Sequence, residues 1–383
     1  MKIIKKRLLQ LNLGQGRSAF LWGPRRTGKS FWIRHAFTDC ILIDLLKTDV
    51  FADYAARPAL LRERYADTKQ VIAIDEIQMA PELLNEVHWM IENKGISFLL
   101  TGSSARKLKR GHANLLAGRA RRYALRPLAY PEVEGLDIEA VMLSGLLPPH
   151  YLSDDPLLDL RSYVGDYLKT EISTEASVRS IPSFSDFLFV AATHSGELLN
   201  YANVARESGV SAKTVRSYIE ILEDTMLGYR LPPWKKSRRR RLIDTEKFYL
   251  FDVGVANYLA RRAPRAGTPE FGSSLEQFIL MELQAYRAYR NPETEIAYWR
   301  TSSGYEVDFI VDDMRWAIEV KSARRVGNQH LRGLRALKSE FEPKRSFLVC
   351  LETEPRTTDD RIDILPWRTF LDRLWSNMLD REK

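Results

Sequence analysis

Gly23-Pro24-Arg25-Arg26-Thr27-Gly28-Lys29-Ser30 is the stretch that decides the fold. It follows the apolar run Ala19-Phe20-Leu21-Trp22 and precedes an apolar-periodic segment over 31–37. The order is strand, glycine loop, helix, and the spacing G-x-x-x-x-G-K-S is the P-loop pattern. Glycines accept backbone angles that other residues resist, so successive N–H groups can turn inward around phosphate oxygens. The helix opening near Gly28 aims its unpaired N–H groups and its positive end at the same anion. Lys29 is placed to reach the β- and γ-phosphates, and Ser30 to ligate Mg²⁺. The stretch predicts a site for ATP with Mg²⁺.

Downstream, 40–44 reads as a short buried strand and 47–66 as helical, with an interruption at Pro58. Val71-Ile72-Ala73-Ile74-Asp75-Glu76 is a strand ending in two acids. It delivers Asp75 beside the Mg²⁺ shell and places Glu76 to polarise a water against the γ-phosphate. A helix over 81–93 is opened by Pro81. The run Phe98-Leu99-Leu100-Thr101-Gly102-Ser103-Ser104 is a strand entering a polar turn. Its hydroxyls either hold the attacking water or merely close a Ser/Thr turn. Arg119, in Leu116-Ala117-Gly118-Arg119, either stabilises transition-state charge in a neighbouring subunit or is a surface arginine or a phosphate-independent cap. Strands alternating with helices over 1–130 predict an α/β domain with a parallel sheet and the nucleotide at the strands' carboxyl ends.

The runs F-L-W-G-P-R-R-T-G-K-S, V-I-A-I-D-E-I-Q, L-L-T-G-S-S and L-A-G-R together resemble a family of bacterial and archaeal AAA+-type ATPases. In that family the ATPase is fused to a C-terminal domain of unknown function with a restriction-endonuclease-like core. The resemblance extends over nearly the whole chain. It implies five parallel strands, with Lys29, Ser30, Asp75 and Glu76 in the roles above, Ser103 as sensor and Arg119 as arginine finger. Where many AAA+ proteins carry Asn as sensor, this chain offers Thr101, Ser103 and Ser104.

Residues 131–195 read as a helical linker or lid, with a long amphipathic pattern over 154–178 opened by Asp154 or Asp155. Residues 196–262 outline a winged helix. A short helix over 200–207 is followed by the turn Ser208-Gly209-Val210-Ser211, and Ser211 caps a second helix over 212–224. Strand-like runs at 228–231 and 247–251 flank the loop Lys235-Lys236-Ser237-Arg238-Arg239-Arg240-Arg241. Lys213 and Arg216 lie near the start of the second helix, where base or phosphate contacts are made. These cations predict either DNA binding or a contact with protein, within the chain or outside it.

Residues 263–383 follow a linker marked by Pro264, Gly267 and Pro269. A helix capped by Ser273 or Ser274 carries Glu276 near its start, and strands follow at 295–300, 305–311 and 314–321. A helix over 326–341 and a strand over 347–351 come next. Period-2 alternation puts Glu319 and Lys321 on one face. With Asp308 on that face, two carboxylates would suit a divalent metal and the lysine would position water. That is the D…E-x-K arrangement of restriction-type nucleases, and this segment resembles that fold, with Glu276 matching their additional acid. The alternative is a surface ion pair.

The chain has 383 residues, enough for two or three domains, and a net charge of +8. Its two cysteines, Cys40 and Cys350, stand apart without C-x-x-C neighbours, which argues against a disulfide framework or zinc site and fits a reducing cytoplasm. No apolar run approaches the ~18 residues of a membrane span. Taken together, the chain is expected to be an ATP-hydrolysing switch or motor coupled to a DNA-binding, nuclease-like C-terminal half, with assembly into a homo-oligomer open. The alternative is a nucleotide-controlled protein scaffold.

Overall fold

A computed structural model describes residues 6–11, 13, 16–103, 116, 118–165, 180–234 and 243–380. The N-terminal sheet contains β1 (Ser18–Trp22), β2 (Ile41–Asp44), β3 (Ile72–Asp75), β4 (Phe98–Gly102) and β5 (Ala120–Ala124). Its strand order is β2-β3-β4-β1-β5, and every pairing is parallel. The crossovers carry α1 (Lys29–Ala36), α2 (Thr48–Ala56), α3 (Leu60–Tyr65) and α4 (Leu83–Lys94). Pro58 falls in the break between α2 and α3, where its missing N–H costs no helical bond. Alternation buries the sheet on both faces. Ile72, Ile74 and Leu100 pack with Val87 and Met90 of α4, while Ala73, Leu99 and Leu21 pack with Trp32 and Ile33 of α1.

The middle region holds α5 (Ile138–Ser144), α6 (Pro148–Leu152), α7 (Pro156–Ser162) and α8 (Ile181–Thr193). Asp155 caps α7 by accepting from Leu158 N at 3.1 Å, as the sequence predicts; the rest of the pattern, 166–179, lies outside the described residues. The helix-turn-helix outline is present as α9 (Tyr201–Ser208) and α10 (Ala212–Asp224). Asn200 caps α9, Gly209 ends it at φ 67, and Ser211 accepts from Thr214 N at 3.1 Å to open α10. The antiparallel pair β6 (Gly228–Leu231) and β7 (Lys247–Leu250) follows, then α11 (Val253–Leu259). Asp252 caps α11 and also accepts from Leu146 N at 2.8 Å; burial pushes its carboxyl up to about 6.

The C-terminal region opens with α12 (Pro269–Tyr289). This helix starts earlier than expected. Thr268 caps it and Pro269 occupies its first position, so the proline read as linker is a helix-starting residue. Ser274 instead lies in the helix, buried, donating to the Glu270 carbonyl at 2.7 Å. Strands β8 (Ile296–Arg300), β9 (Glu306–Val311), β10 (Trp316–Val320), β11 (Arg345–Cys350), β12 (Arg356–Thr357) and β13 (Asp363–Pro366) make one mixed sheet, order β12-β13-β11-β10-β9-β8. The helix expected over 326–341 is shorter: a 3-10 turn, Asn328–Leu331, and then α13 (Arg332–Lys338). The last helix is α14 (Trp367–Trp375). On one face of the sheet Phe309, Ile318 and Phe347 meet Phe278 of α12 and Phe370 of α14, and on the other Ala317 and Leu348 meet Leu334 of α13. Burying side chains of this size contributes about 1.5–3 kcal/mol each. A Cβ at Gly333 would overlap the Glu306 carbonyl, so α13 can lie this close to β9 only with glycine there.

Candidate active site

The N-terminal site is built at the carboxyl ends of β1, β3 and β4. Gly23 leaves β1 against the exit of β5, where a Cβ would overlap the Leu125 carbonyl. The turn closes through Thr27 Oγ1, which donates to the Pro24 carbonyl at 2.8 Å. Arg26 and Gly28 both take left-handed φ, 65 and 89, and no described side chain caps α1. The first-turn N–H groups of α1 therefore open toward the loop. Lys29 is 5% exposed and curls back over this turn, donating to the carbonyls of Gly23 at 2.8 Å and Pro24 at 3.3 Å.

Ser30 Oγ donates to Asp75 Oδ2 at 2.5 Å, and Thr101 Oγ1 donates to Asp75 Oδ1. A hydroxyl beside a buried carboxylate is the hard-oxygen pair that Mg²⁺ favours, so these residues fit that ion. Glu76, buried, turns the chain at φ 60 into a 3-10 turn, Ile77–Met79. Gln78 then reaches back: its Nε2 donates to Glu76 Oε2 and, at 3.2 Å, to Ser103 Oγ. The structure thus brings Gly23, Pro24, Thr27, Gly28, Lys29, Ser30, Asp75, Glu76 and Ser103 together. It adds Gln78, which the sequence reading passed over although it stands in D-E-I-Q. Gly102 makes room for it, because a Cβ there would overlap Gln78 Oε1 and the Trp22 ring.

Arg119 is elsewhere. It precedes β5, one residue before Ala120, which pairs with Ser18 at the opposite end of the sheet, and it is 39% exposed and paired with Glu92, whose carboxyl that pairing holds below its usual range. Arg25 and Arg26 remain at the loop, and the Arg26 guanidinium lies 5.5 Å from the Tyr163 ring centroid. His150 packs edge-on to Tyr163, fully buried. Both of its ring nitrogens lack a partner among the described residues, and burial, with the Arg26 charge, pushes it down to about 4.

Arg7 ties this loop to the rest of the chain. One guanidinium nitrogen donates to the Thr27 carbonyl at 2.8 Å, and another to the Arg126 carbonyl at 2.6 Å and the Tyr289 hydroxyl at 3.1 Å. Its Nε lies 3.0 Å from Glu132 Oε2 in a buried ion pair. Tyr289, at the end of α12, also accepts from Arg126 N at 2.9 Å, and burial pushes its hydroxyl up to about 12. Arg126 in turn stacks on and donates to Tyr229 of β6.

A second group of charges lies between β7 and the C-terminal sheet. Asp308 (4% exposed) accepts from Val320 N at 2.8 Å, and Lys321 Nζ sits 2.5 Å from Glu319 Oε1 and 4.0 Å from Asp308 Oδ2. Burial, reinforced by Glu276, pushes Asp308 up to about 7, and Glu319 (5% exposed) is raised by burial and Asp308. Glu276 lies two turns into α12 rather than near its start. The four residues expected to cluster do so, but the cation beside Glu276 comes from β7. Lys247, 3% exposed, lies 3.1 Å from Glu276 Oε1 and 2.5 Å from Glu306 Oε1. Neither Lys247 nor Glu306 carries a sequence motif. Among the described residues no group of three or more His, Cys, Asp or Glu is arranged to hold a metal ion.

On the helix-turn-helix, Lys213 and Arg216 are exposed, and Arg216 lies over the Tyr201 ring. Lys235, Lys236 and Arg238 to Arg241 lie outside the described residues. Both flanks of that loop are strapped to β8: Trp234 N donates to the Tyr298 carbonyl at 2.6 Å and Ile243 N to the Arg300 carbonyl at 3.0 Å. No helix among the described residues is long and apolar enough to cross a membrane.

Comparison with known proteins finds three family models along the chain. Residues 15–134 match the model of an AAA domain, 136–266 a domain of unknown function (DUF8612) and 271–370 a domain of unknown function (DUF4143). An uncharacterized protein of Mycobacterium tuberculosis is 26% identical over 303 residues, 76% of this chain and 67% of that protein. One from Haemophilus influenzae is 22% identical over 245 residues, 58% of this chain and 60% of that protein. Among solved structures, the Aeropyrum pernix ORC1 protein in complex with DNA aligns at 14% identity over 64% of this chain and 86% of that one, with a TM-score of 0.27. A likeness at that score says nothing of what this chain does. The family match and the loop, acid and strand geometry agree on the N-terminal part: residues 15–134 are a P-loop nucleotide-binding domain of the AAA type.

Proposed function

We propose that the chain is an ATP-hydrolysing switch whose nucleotide state is passed to its C-terminal half through Arg7. The observation that carries this reading is the Arg7 guanidinium, which holds the Thr27 carbonyl of the phosphate loop and the Tyr289 hydroxyl of α12 at once. In this reading Lys29 leaves the Gly23 and Pro24 carbonyls for the β- and γ-phosphates of ATP, and the first-turn amides of α1 surround the same anion. Mg²⁺, held by Ser30 and Asp75, neutralises phosphate charge. Glu76 orients and polarises water, and Gln78 is a positioning residue that holds Glu76 and Ser103 in register. A phosphate entering between the carbonyls changes the turn at Thr27, and Arg7 follows it.

Arg119 serves a neighbouring copy in this account. Its own P-loop is six residue steps along the strand direction away, roughly 20 Å at 3.3 Å per residue. Arg119→Ala and Glu76→Gln, each inactive alone, should regain part of the turnover when mixed, because some interfaces then carry one intact Arg and one intact Glu. Confirmed mixed oligomers without rescue would discard the finger.

The effector half is read as a binding module. Exposed Lys213 and Arg216 support nucleic acid as its ligand, whereas the strapped flanks of the basic loop support packing within the chain. Phosphate release measured with and without duplex DNA separates these. DNA as effector predicts stimulation that falls when Lys213 and Arg216 become Ser and weakens steeply with salt. Turnover indifferent to DNA moves the effector to protein.

A further inference from the structure

We infer that Lys247 is the resident cation of the carboxylate cluster between the wing strand β7 and the C-terminal sheet, and that its ammonium and a hard divalent metal ion exclude each other there. The cluster gathers Glu276 from α12, Glu306 and Asp308 from β9, and Glu319 from β10. Four acids brought together, Asp308 and Glu319 buried and Glu276 and Glu306 partly so, repel unless cations are built in with them. Lys321 supplies one, at 2.5 Å from Glu319 Oε1. Lys247 supplies the other from outside the C-terminal sheet. Its ammonium lies 2.5 Å from Glu306 Oε1, 3.1 Å from Glu276 Oε1 and 5.5 Å from the centre of the Tyr298 ring.

The remaining oxygens show why a metal does not share this space. Glu276 Oε1 also accepts from the Tyr249 hydroxyl, Asp308 Oδ2 from Val320 N, and Glu306 Oε2 is paired with Arg300 at 3.0 Å. Glu319 Oε2, buried, has no hydrogen-bond partner among the described residues. A hard divalent ion asks for about six oxygens at 2.0–2.6 Å. Here the acids are already shared among two ammonium groups and the Arg300 guanidinium, and Glu319 Oε2 is a buried oxygen left without a hydrogen bond among the described residues. Removing the Lys247 charge leaves that oxygen, Glu276 and Asp308 as a hard-oxygen set with no counter-ion on the β7 side. Lys247 also fixes β7 to the sheet, alongside the bonds of Trp234 and Ile243 to β8. The face that the sequence reads as a metal centre is therefore an ion-paired latch between two parts of one chain.

Manganese titration of the nucleotide-free full chain tests this, by calorimetry and by the spin-resonance signal of free Mn²⁺. Three proteins are compared: wild type, Lys247→Met, and Lys247→Met with Glu319→Gln. Lys247→Met should bind Mn²⁺ at least about tenfold more tightly than the wild type, and adding Glu319→Gln should remove the gain. Equal binding by the wild type and Lys247→Met overturns the inference, as does a folded Lys247→Met that gains no site. If Lys247→Met is unstable, Mn²⁺ should raise its melting temperature and leave the wild type's unchanged. An unstable variant that Mn²⁺ does not rescue also overturns it.

Discussion

Glu76→Gln should bind ATP as tightly as the wild type and release phosphate roughly 10²–10⁴-fold more slowly. The amide keeps the shape of the side chain and loses the charge that polarises water. The fold fixes that charge in place. Strand β3 delivers Glu76, a left-handed turn aims it, and Gln78 Nε2 grips its carboxylate while also reaching Ser103. Lys29→Ala should behave differently and lose binding itself. A charge-assisted contact to phosphate is worth about 1.5–3 kcal/mol, so affinity should fall at least tenfold. A fluorescent nucleotide titration and a phosphate-release assay on both variants separate the two steps. Wild-type turnover by Glu76→Gln would remove it from the catalytic role.

Arg7→Ala should destabilise the whole chain by about 3–5 kcal/mol, because it strands a buried carboxylate. Glu132 is fully buried, and besides Arg7 it accepts only backbone N–H groups, from Leu8 at 2.6 Å and Ala129 at 3.0 Å, among the contacts described. Domains are typically stable by only about 5–15 kcal/mol, so the loss is large. Arg7→Lys should recover part of it by restoring the ion pair. A single ammonium cannot also reach Thr27, Arg126 and Tyr289, since only the guanidinium presents a planar fork of donors. Urea unfolding of the three proteins checks the order wild type, Arg7→Lys, Arg7→Ala. An Arg7→Ala protein as stable as the wild type would refute the linchpin role.

What was legible in the sequence is what lies contiguous in it. The phosphate loop, the Asp75-Glu76 strand end and the Ser211 cap each declare themselves within a few residues, because local backbone geometry dictates them. The D…E-x-K strands were legible for the same reason: period-2 alternation places Glu319 and Lys321 without knowledge of the rest. Contacts made by the fold were not. Arg7 and Tyr289 stand 282 positions apart, and nothing near either one marks it. Lys247 sits in an apolar strand where a lone lysine reads as an edge residue, and only its burial against Glu276 and Glu306 reveals it. Gln78 was in view, but its role depends on a left-handed turn at Glu76 that no pattern predicts. Thr268-Pro269 shows a local signal with two meanings, since proline both ends linkers and opens helices.

Hydrogen exchange across α12 in the Glu76→Gln protein, with and without saturating Mg-ATP, tests the central claim most directly. If nucleotide state reaches the C-terminal half through Arg7, ATP should change exchange in the last turns of α12, around Tyr289. Tyr289→Phe should erase most of that change while ATP still binds. Unchanged exchange throughout α12 at full ATP occupancy would contradict the coupling.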